Sequence, residues 1–195
     1  MPKPAFDDPI EWFDAWFSEA SRRISPDPNA MALSTVDADG RPSSRIVLLK
    51  DFGDDGFVFH TNRESRKGRD LAVNPYAALL FYWRELDRQV RIEGRVEWVE
   101  DAESDVYFAT RARGSQLGAW ASKQSQPLPS RDALLAELAA ADAKFHGAVP
   151  RPPHWGGYRL VADRIEFWQA GEFRLHDRYV FERPDGAWAP LRLYP

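Results

Sequence analysis

The sequence predicts a mainly β protein, an antiparallel barrel or strongly curved sheet with helices packed outside it. Three observations carry this. Strand-like segments recur along the chain with helices between them, but not as regular βαβ units. The first turns are short, which favours antiparallel pairing. The composition is 44% apolar and includes eight Trp, and a chain of this size hides roughly 70% of its unfolded surface.

Residues 8–23 carry Ile10, Trp12, Phe13, Trp16, Phe17 and Ala20 at helical spacing, with Asp7 or Asp8 as N-cap and Pro26 beyond the end. From residue 30 the period changes. Residues 32–36 read as a strand, 37–40 as a hairpin turn and 43–50 as the returning strand; a turn at 51–56 leads into a strand at 57–60. Ser65 caps a short helix that stops before Pro75. Residues 76–83 are apolar enough for a buried strand, and 88–99 alternate, with Val90, Ile92, Val96 and Trp98 on one face. Residues 101–113 and 130–145 read as helices, and 148–154 as a Pro-rich connection. Strands at 158–161, 164–169, 178–181 and 187–193 complete a single domain over residues 1–195.

Composition removes several functions. There is no Cys, hence no disulfide, iron–sulfur cluster, thiolate zinc site or cysteine nucleophile. The longest apolar run, Tyr76 to Trp83, is eight residues, far below the ~20 of a membrane helix. With no apolar leader at the N-terminus, a soluble cytoplasmic protein is expected. Net charge is −4, which argues against a broad nucleic-acid surface. Yet 21 of the 26 basic residues are Arg; that bias fits discrete anion sites, and the codons of a GC-rich genome would give it too. No Walker loop, GxGxxG, GxSxG or HExxH is present, and His60, His146, His154 and His176 show no metal-ligand spacing.

The positive signals are all anion-binding in style. Arg45 and Lys50 end an apolar segment; on a strand, residues five apart face opposite sides, so the pair would serve two anions across the sheet. Arg66, Lys67 and Gly68 follow the Ser65 cap, where exposed N–H groups and two cations make a phosphate seat. Tyr107, Arg111 and Ser115 are spaced i, i+4, i+8, and on a continuous helix they form a phosphate clamp. Arg174, His176 and Arg178 alternate; on an extended backbone all three point one way and require an anionic partner. Ordinary charged strand ends and solvated helix faces are the competing accounts of these patterns.

Four segments, Arg45-Ile-Val-Leu-Leu-Lys50, Gly118-Ala-Trp-Ala-Ser-Lys-Gln-Ser125, Ile165-Glu-Phe-Trp168 and Arg174-Leu-His-Asp-Arg178, stand in an order that resembles the pyridoxamine 5′-phosphate oxidase family across about residues 8–195. The resemblance implies a homodimeric split β-barrel that binds FMN at the subunit interface. It implies oxidation of pyridoxamine or pyridoxine 5′-phosphate to pyridoxal 5′-phosphate, with O2 reduced to H2O2. By the family pattern, Arg45, Arg66, Lys67 and Ser125 belong with the FMN phosphate. Ile46, Val47, Leu48, Leu49, Lys50, His60, Thr61, Gln89, Gln124, Trp168 and Arg178 belong with FMN more broadly. Lys50, Tyr107, Arg111 and Ser115 match the substrate-phosphate positions, and Arg174, Leu175 and His176 those beside the substrate ring, with Arg174 and His176 catalytic. His60 stands where the family often has Tyr, and Phe173 where a polar residue is common. Longer members carry an extra N-terminal segment that can cover the site. The related phenazine-biosynthesis flavin oxidase shares the barrel but lacks much of the substrate-phosphate set; a non-catalytic flavin or pyridoxal-phosphate carrier is the other alternative. No metal is implied.

Overall fold

A computed structural model describes residues 7–183 and 186–195. The expectation of a leader-free N-terminus falls largely on residues 1–6, outside that range. Helix α1 (Pro9–Arg23) starts as the sequence predicts: Asp8 Oδ1 accepts from the Ile10 N–H at 2.7 Å, and Pro9 sits where a missing N–H costs nothing. Its apolar stripe lies against the sheet. Trp12 stacks on Phe167 at 4.4 Å, and the wholly buried Phe13 meets the rings of Phe52, Phe57 and Phe81 edge-on.

The sheet comprises β1 (Ala30–Val36), β2 (Pro42–Leu48), β3 (Asp51–Gly53), β4 (Gly56–Asn62), β5 (Tyr76–Trp83), β6 (Arg88–Trp98), β7 (Trp155–Gln169), β8 (Asp177–Glu182) and β9 (Ala189–Leu193). Every pairing is antiparallel. The order is β2-β1-β5-β6-β7-β4-β3, with β8 on β7 and β9 on β8. Its two ends, β2 and β3, are joined by Leu49 and Lys50 alone, so the sheet must curl back on itself into a half-barrel. Strand β7 divides its partners: residues 155–160 pair with β4 and residues 164–169 with β8. The two strands expected at 158–161 and 164–169 are therefore one. A register shift opposite Glu93 and Gly94 leaves Asp163 as an extra residue, and the bulge carries the strand through its charged stretch. Gly94 is needed there, since a Cβ would collide with the Val161 carbonyl.

Four more helices lie outside the sheet: α2 (Arg66–Val73), α3 (Asp101–Thr110), α4 (Arg113–Ala121) and α5 (Arg131–Lys144). The helix expected over 101–113 is thus broken, with Arg111 in extended backbone (φ −72°, ψ 145°) between α3 and α4. Phe108, Leu117, Ala141, Val149 and Trp155 form a small second core under these helices. Trp98 keeps the face it shares with Val90, Ile92 and Val96, but at the end of β6 it is half exposed and packs on Tyr158. Among the described residues no helix is long and apolar enough to cross a membrane.

Candidate active site

A cavity of about 770 Å³ opens between β2, β4 and the α3–α4 pair. Arg45, Lys50, Lys67 and Arg111 line it, and among the described residues no Asp or Glu does. Four cations facing one cavity without a carboxylate constitute a site that requires anions. They fall into two groups.

The first group is built on the start of α2. Ser65 Oγ accepts from the Gly68 N–H at 3.4 Å, as its capping role predicts. Gly68 is required, because a Cβ would run into the Arg63 carbonyl. Lys67 Nζ donates to Ser65 Oγ at 3.0 Å and to Gln124 Oε1 at 2.7 Å, and Thr61 Oγ1 donates to the same Gln124 oxygen at 3.3 Å. Burial, then the neighbouring Arg45, pushes the Lys67 ammonium down to about 8. Arg45 reaches this group from β2 and donates to Leu33 O, Thr35 Oγ1 and Ser43 Oγ.

The second group surrounds an aromatic stack. His60 lies 4.2 Å from the Tyr107 ring and 5.2 Å from Trp155. Arg111 sits 4.7 Å over Trp155, and Lys50 5.8 Å over Tyr107. Arg111 Nη1 is buried without a hydrogen-bond partner, a donor that a ligand oxygen would satisfy. Burial, with Lys50, Arg111 and Arg151 nearby, pushes His60 down to about 4, so its ring is neutral at pH 7 and Lys50 and Arg111 carry the charge.

Two expectations about this wall need correction. Arg45 and Lys50 do not serve opposite faces of the sheet: β2 ends at Leu48, Leu49 turns into the core, and the Lys50 N–H joins Val58 O, which brings Lys50 round to the same cavity. Nor do Tyr107, Arg111 and Ser115 share a continuous helix. The break at Arg111 separates them, yet all three line the cavity, because the kink points α4 along its wall. Ile46, Val47 and Leu48 also line it, while Leu49 contributes only to the core.

The remaining candidates lie elsewhere. Arg66 is exposed and faces Asp37 at 3.9 Å; Ser125, at φ 70°, lines a neighbouring groove beside α5. Gln89, Trp168 and Arg178 form a row across β6, β7 and β8 and do not line the cavity. Arg174, His176 and Arg178 do not share an extended backbone: Phe173 (φ 56°) and Arg174 (φ 64°) are left-handed, inside a 3-10 turn. Arg174 and Leu175 are exposed. His176 packs 4.6 Å from Trp168, and its Nδ1 accepts from the Gly171 N–H. Arg178 has a partner that spacing did not reveal. Its Nε donates to Glu166 Oε1 at 2.8 Å, and its Nη1 to Tyr194 O at 3.0 Å. Burial would raise the Glu166 carboxyl, but Arg178, Arg91 and Arg164 outweigh it and hold that carboxyl below the usual range.

Sequence reasoning missed Asn62, Ser122 and Trp155 in the cavity wall and Glu166 beneath Arg178. The available signals were Trp155 directly after a Pro-rich run and Glu166 inside the Ile165–Trp168 motif.

The family described as pyridoxamine 5′-phosphate oxidase matches residues 17–145, and the pyridoxine 5′-phosphate oxidase C-terminal dimerisation region matches residues 155–195. A pyridoxine/pyridoxamine 5′-phosphate oxidase of Myxococcus xanthus is 61% identical over 96% of this chain and 92% of its own; one from Caulobacter vibrioides is 58% identical over 97% and 86%. Among solved structures, PhzG from Burkholderia lata, in complex with tetrahydrophenazine-1-carboxylic acid, superposes with a TM-score of 0.94 at 36% identity, covering 100% of this chain and 97% of the other. An FMN-binding protein from Nostoc punctiforme (TM-score 0.78, 16% identity, covering 96% and 98%) shares the fold. The chain belongs to the pyridoxamine 5′-phosphate oxidase family.

Proposed function

We propose that this chain, as a homodimer, is an FMN-dependent oxidase that converts pyridoxine and pyridoxamine 5′-phosphates to pyridoxal 5′-phosphate. The carrying observation is the cavity with two cation groups and no carboxylate, which suits two phosphate-bearing ligands. Arg45, Lys67, Gln124 and Thr61 would hold the phosphate end of FMN, with Arg66 and Ser125 at its margin. Lys50, Tyr107, Arg111 and Ser115 would hold the substrate phosphate, Arg111 through its unpartnered Nη1. When bound, FMN would supply a hydride acceptor for the substrate carbon and a route for the electrons to O2, giving H2O2; with the amine substrate, water would then replace the nitrogen and release ammonia.

The protein's part is then positioning. Neutral His60 and Trp155 give the substrate a flat apolar wall without adding charge. Arg174 and His176 would orient the substrate ring, and Gln89, Trp168 and Arg178 would flank the flavin. Since these five do not line the cavity of their own chain, a second copy supplies them, and the dimerisation region to which all but Gln89 belong supports that arrangement. Residues 1–195 act as one domain in this reading, which the single nine-stranded sheet supports. A cytoplasmic location fits the Cys-free composition.

The test is anaerobic. Flavin absorbance of the FMN-loaded protein should bleach on adding pyridoxine 5′-phosphate and return on admitting air. A flavin that stays oxidised with both phosphorylated vitamers would refute the assignment. The phenazine-type activity is the second reading, supported by the superposition with PhzG; reduction by tetrahydrophenazine-1-carboxylic acid alone would favour it.

A further inference from the structure

Beneath Arg45 lies a relay that neither cation group uses directly. Thr35, in β1, is wholly buried, and Asp70, in α2, is 5% exposed. Arg45 Nη1 donates to Thr35 Oγ1 at 2.8 Å, and Thr35 Oγ1 donates to Asp70 Oδ2 at 2.6 Å. The Asp70 carboxylate also faces Arg45 Nη2 at 3.8 Å. A hydroxyl has one proton; Thr35 commits it to Asp70, which fixes its lone pairs towards the guanidinium. Both bonds are charge-assisted, the stronger kind. With Leu33 O and Ser43 Oγ, the relay fixes three N–H donors of Arg45 and so sets the direction of the others.

We propose that Thr35 and Asp70 are positioning residues that aim Arg45 at a phosphate, and that through them the protein prefers a phosphorylated flavin to an unphosphorylated one. Neither side chain lines the cavity, so both act through Arg45. Asp70 sits on the helix that carries Lys67, and the relay therefore also ties the two cations of this group to one strand. The inference rests on the assignment of Arg45 to the FMN phosphate.

The experiment titrates the full-length apo dimer with FMN and with riboflavin, read by flavin fluorescence. Thr35→Val removes the relay at nearly constant shape and should raise the Kd for FMN by about tenfold or more while moving that for riboflavin by less than about twofold. Thr35→Ser, which keeps the hydroxyl, should restore the preference, and Asp70→Ala should reproduce the selective loss. Thr35→Ala is read in the same way if the Val variant does not fold. An unchanged FMN Kd in Thr35→Val, or equal weakening of both flavins, overturns the proposal. Arg45→Ala separates the two levels. If it is selective for FMN while Thr35→Val is not, only the relay fails; if Arg45→Ala weakens both flavins equally, the phosphate assignment fails with it.

Discussion

The cavity wall and the segment after β7 are both rich in arginine, and they treat it in opposite ways. In the wall, Arg111 is half-buried over Trp155 with a donor left unpaired, and no carboxylate lines the space. After β7, Arg178 is already bound to Glu166, and Arg174 stands in solvent on left-handed backbone. An unpaired buried cation stores affinity for an anion, because ligand binding repays a desolvation already incurred. A paired or exposed one contributes orientation instead. The wall should therefore govern how tightly phosphates bind, and the C-terminal segment how well the bound molecules react.

Substitutions can break that division. The largest effect is expected at Arg174: Arg174→Ala should lower kcat/KM by about 100-fold or more through lost orientation, with FMN affinity nearly intact. Steady-state kinetics beside flavin titration check this, and lost flavin with intact chemistry would reverse the assignment. Arg111→Ala should act in the opposite sense, raising KM about 10- to 100-fold for the loss of a charge-assisted contact of about 1.5–3 kcal/mol, with kcat little changed. An unchanged KM removes Arg111 from the clamp.

Titration sharpens the contrast further. Lys67 has its pKa lowered to about 8 in the ligand-free site, and a bound phosphate favours the charged form and raises it. FMN affinity should then be full below pH 8 and fall as pH rises above it, by up to about tenfold per unit. Flavin titrations between pH 7 and 9.5 measure this, and Lys67→Met should flatten the profile. The smallest effect is expected at His60, whose burial holds it neutral to about pH 4. Unfolded, it takes up a proton near the ordinary 6.5. Stability from the buried neutral ring is thus complete above pH 6.5 and is lost progressively as pH falls towards 4. His60→Phe keeps the stack and should gain on the wild type in Tm across that window, while both share one pH dependence above 7.

The same contrast explains what the sequence made legible. Helix α1 and the Ser65 cap follow from local spacing and capping and appear where expected; the meander of short strands does too, except that residues 51–53, expected within a turn, form β3. The residue types of the wall were legible as well, since a cation five residues from another and an i, i+4, i+8 set are visible in one dimension. Their geometry was not. Lys50 turns towards the cavity only because β2 ends against Asn29 and Val58, and Arg111 kinks only where α3 stops. Pairings between partners distant in sequence, such as Thr35 with Asp70, carry no local signal. In the C-terminal segment the alternating Arg-Leu-His-Asp-Arg pattern implied an extended strand, and the positive φ values of Phe173 and Arg174 removed it.

In the proposed dimer, one active site takes its phosphate-binding wall from one subunit and its orienting segment from the other. Co-expressing Arg111→Ala chains with Arg174→Ala chains tests it most directly. If the site is shared, each mixed dimer holds one site free of both changes, and random pairing should return about a quarter of wild-type kcat/KM, read at substrate far below KM, where both parents are nearly inactive. Activity no greater than the average of the parents would place both residues in the same chain's site and contradict the account.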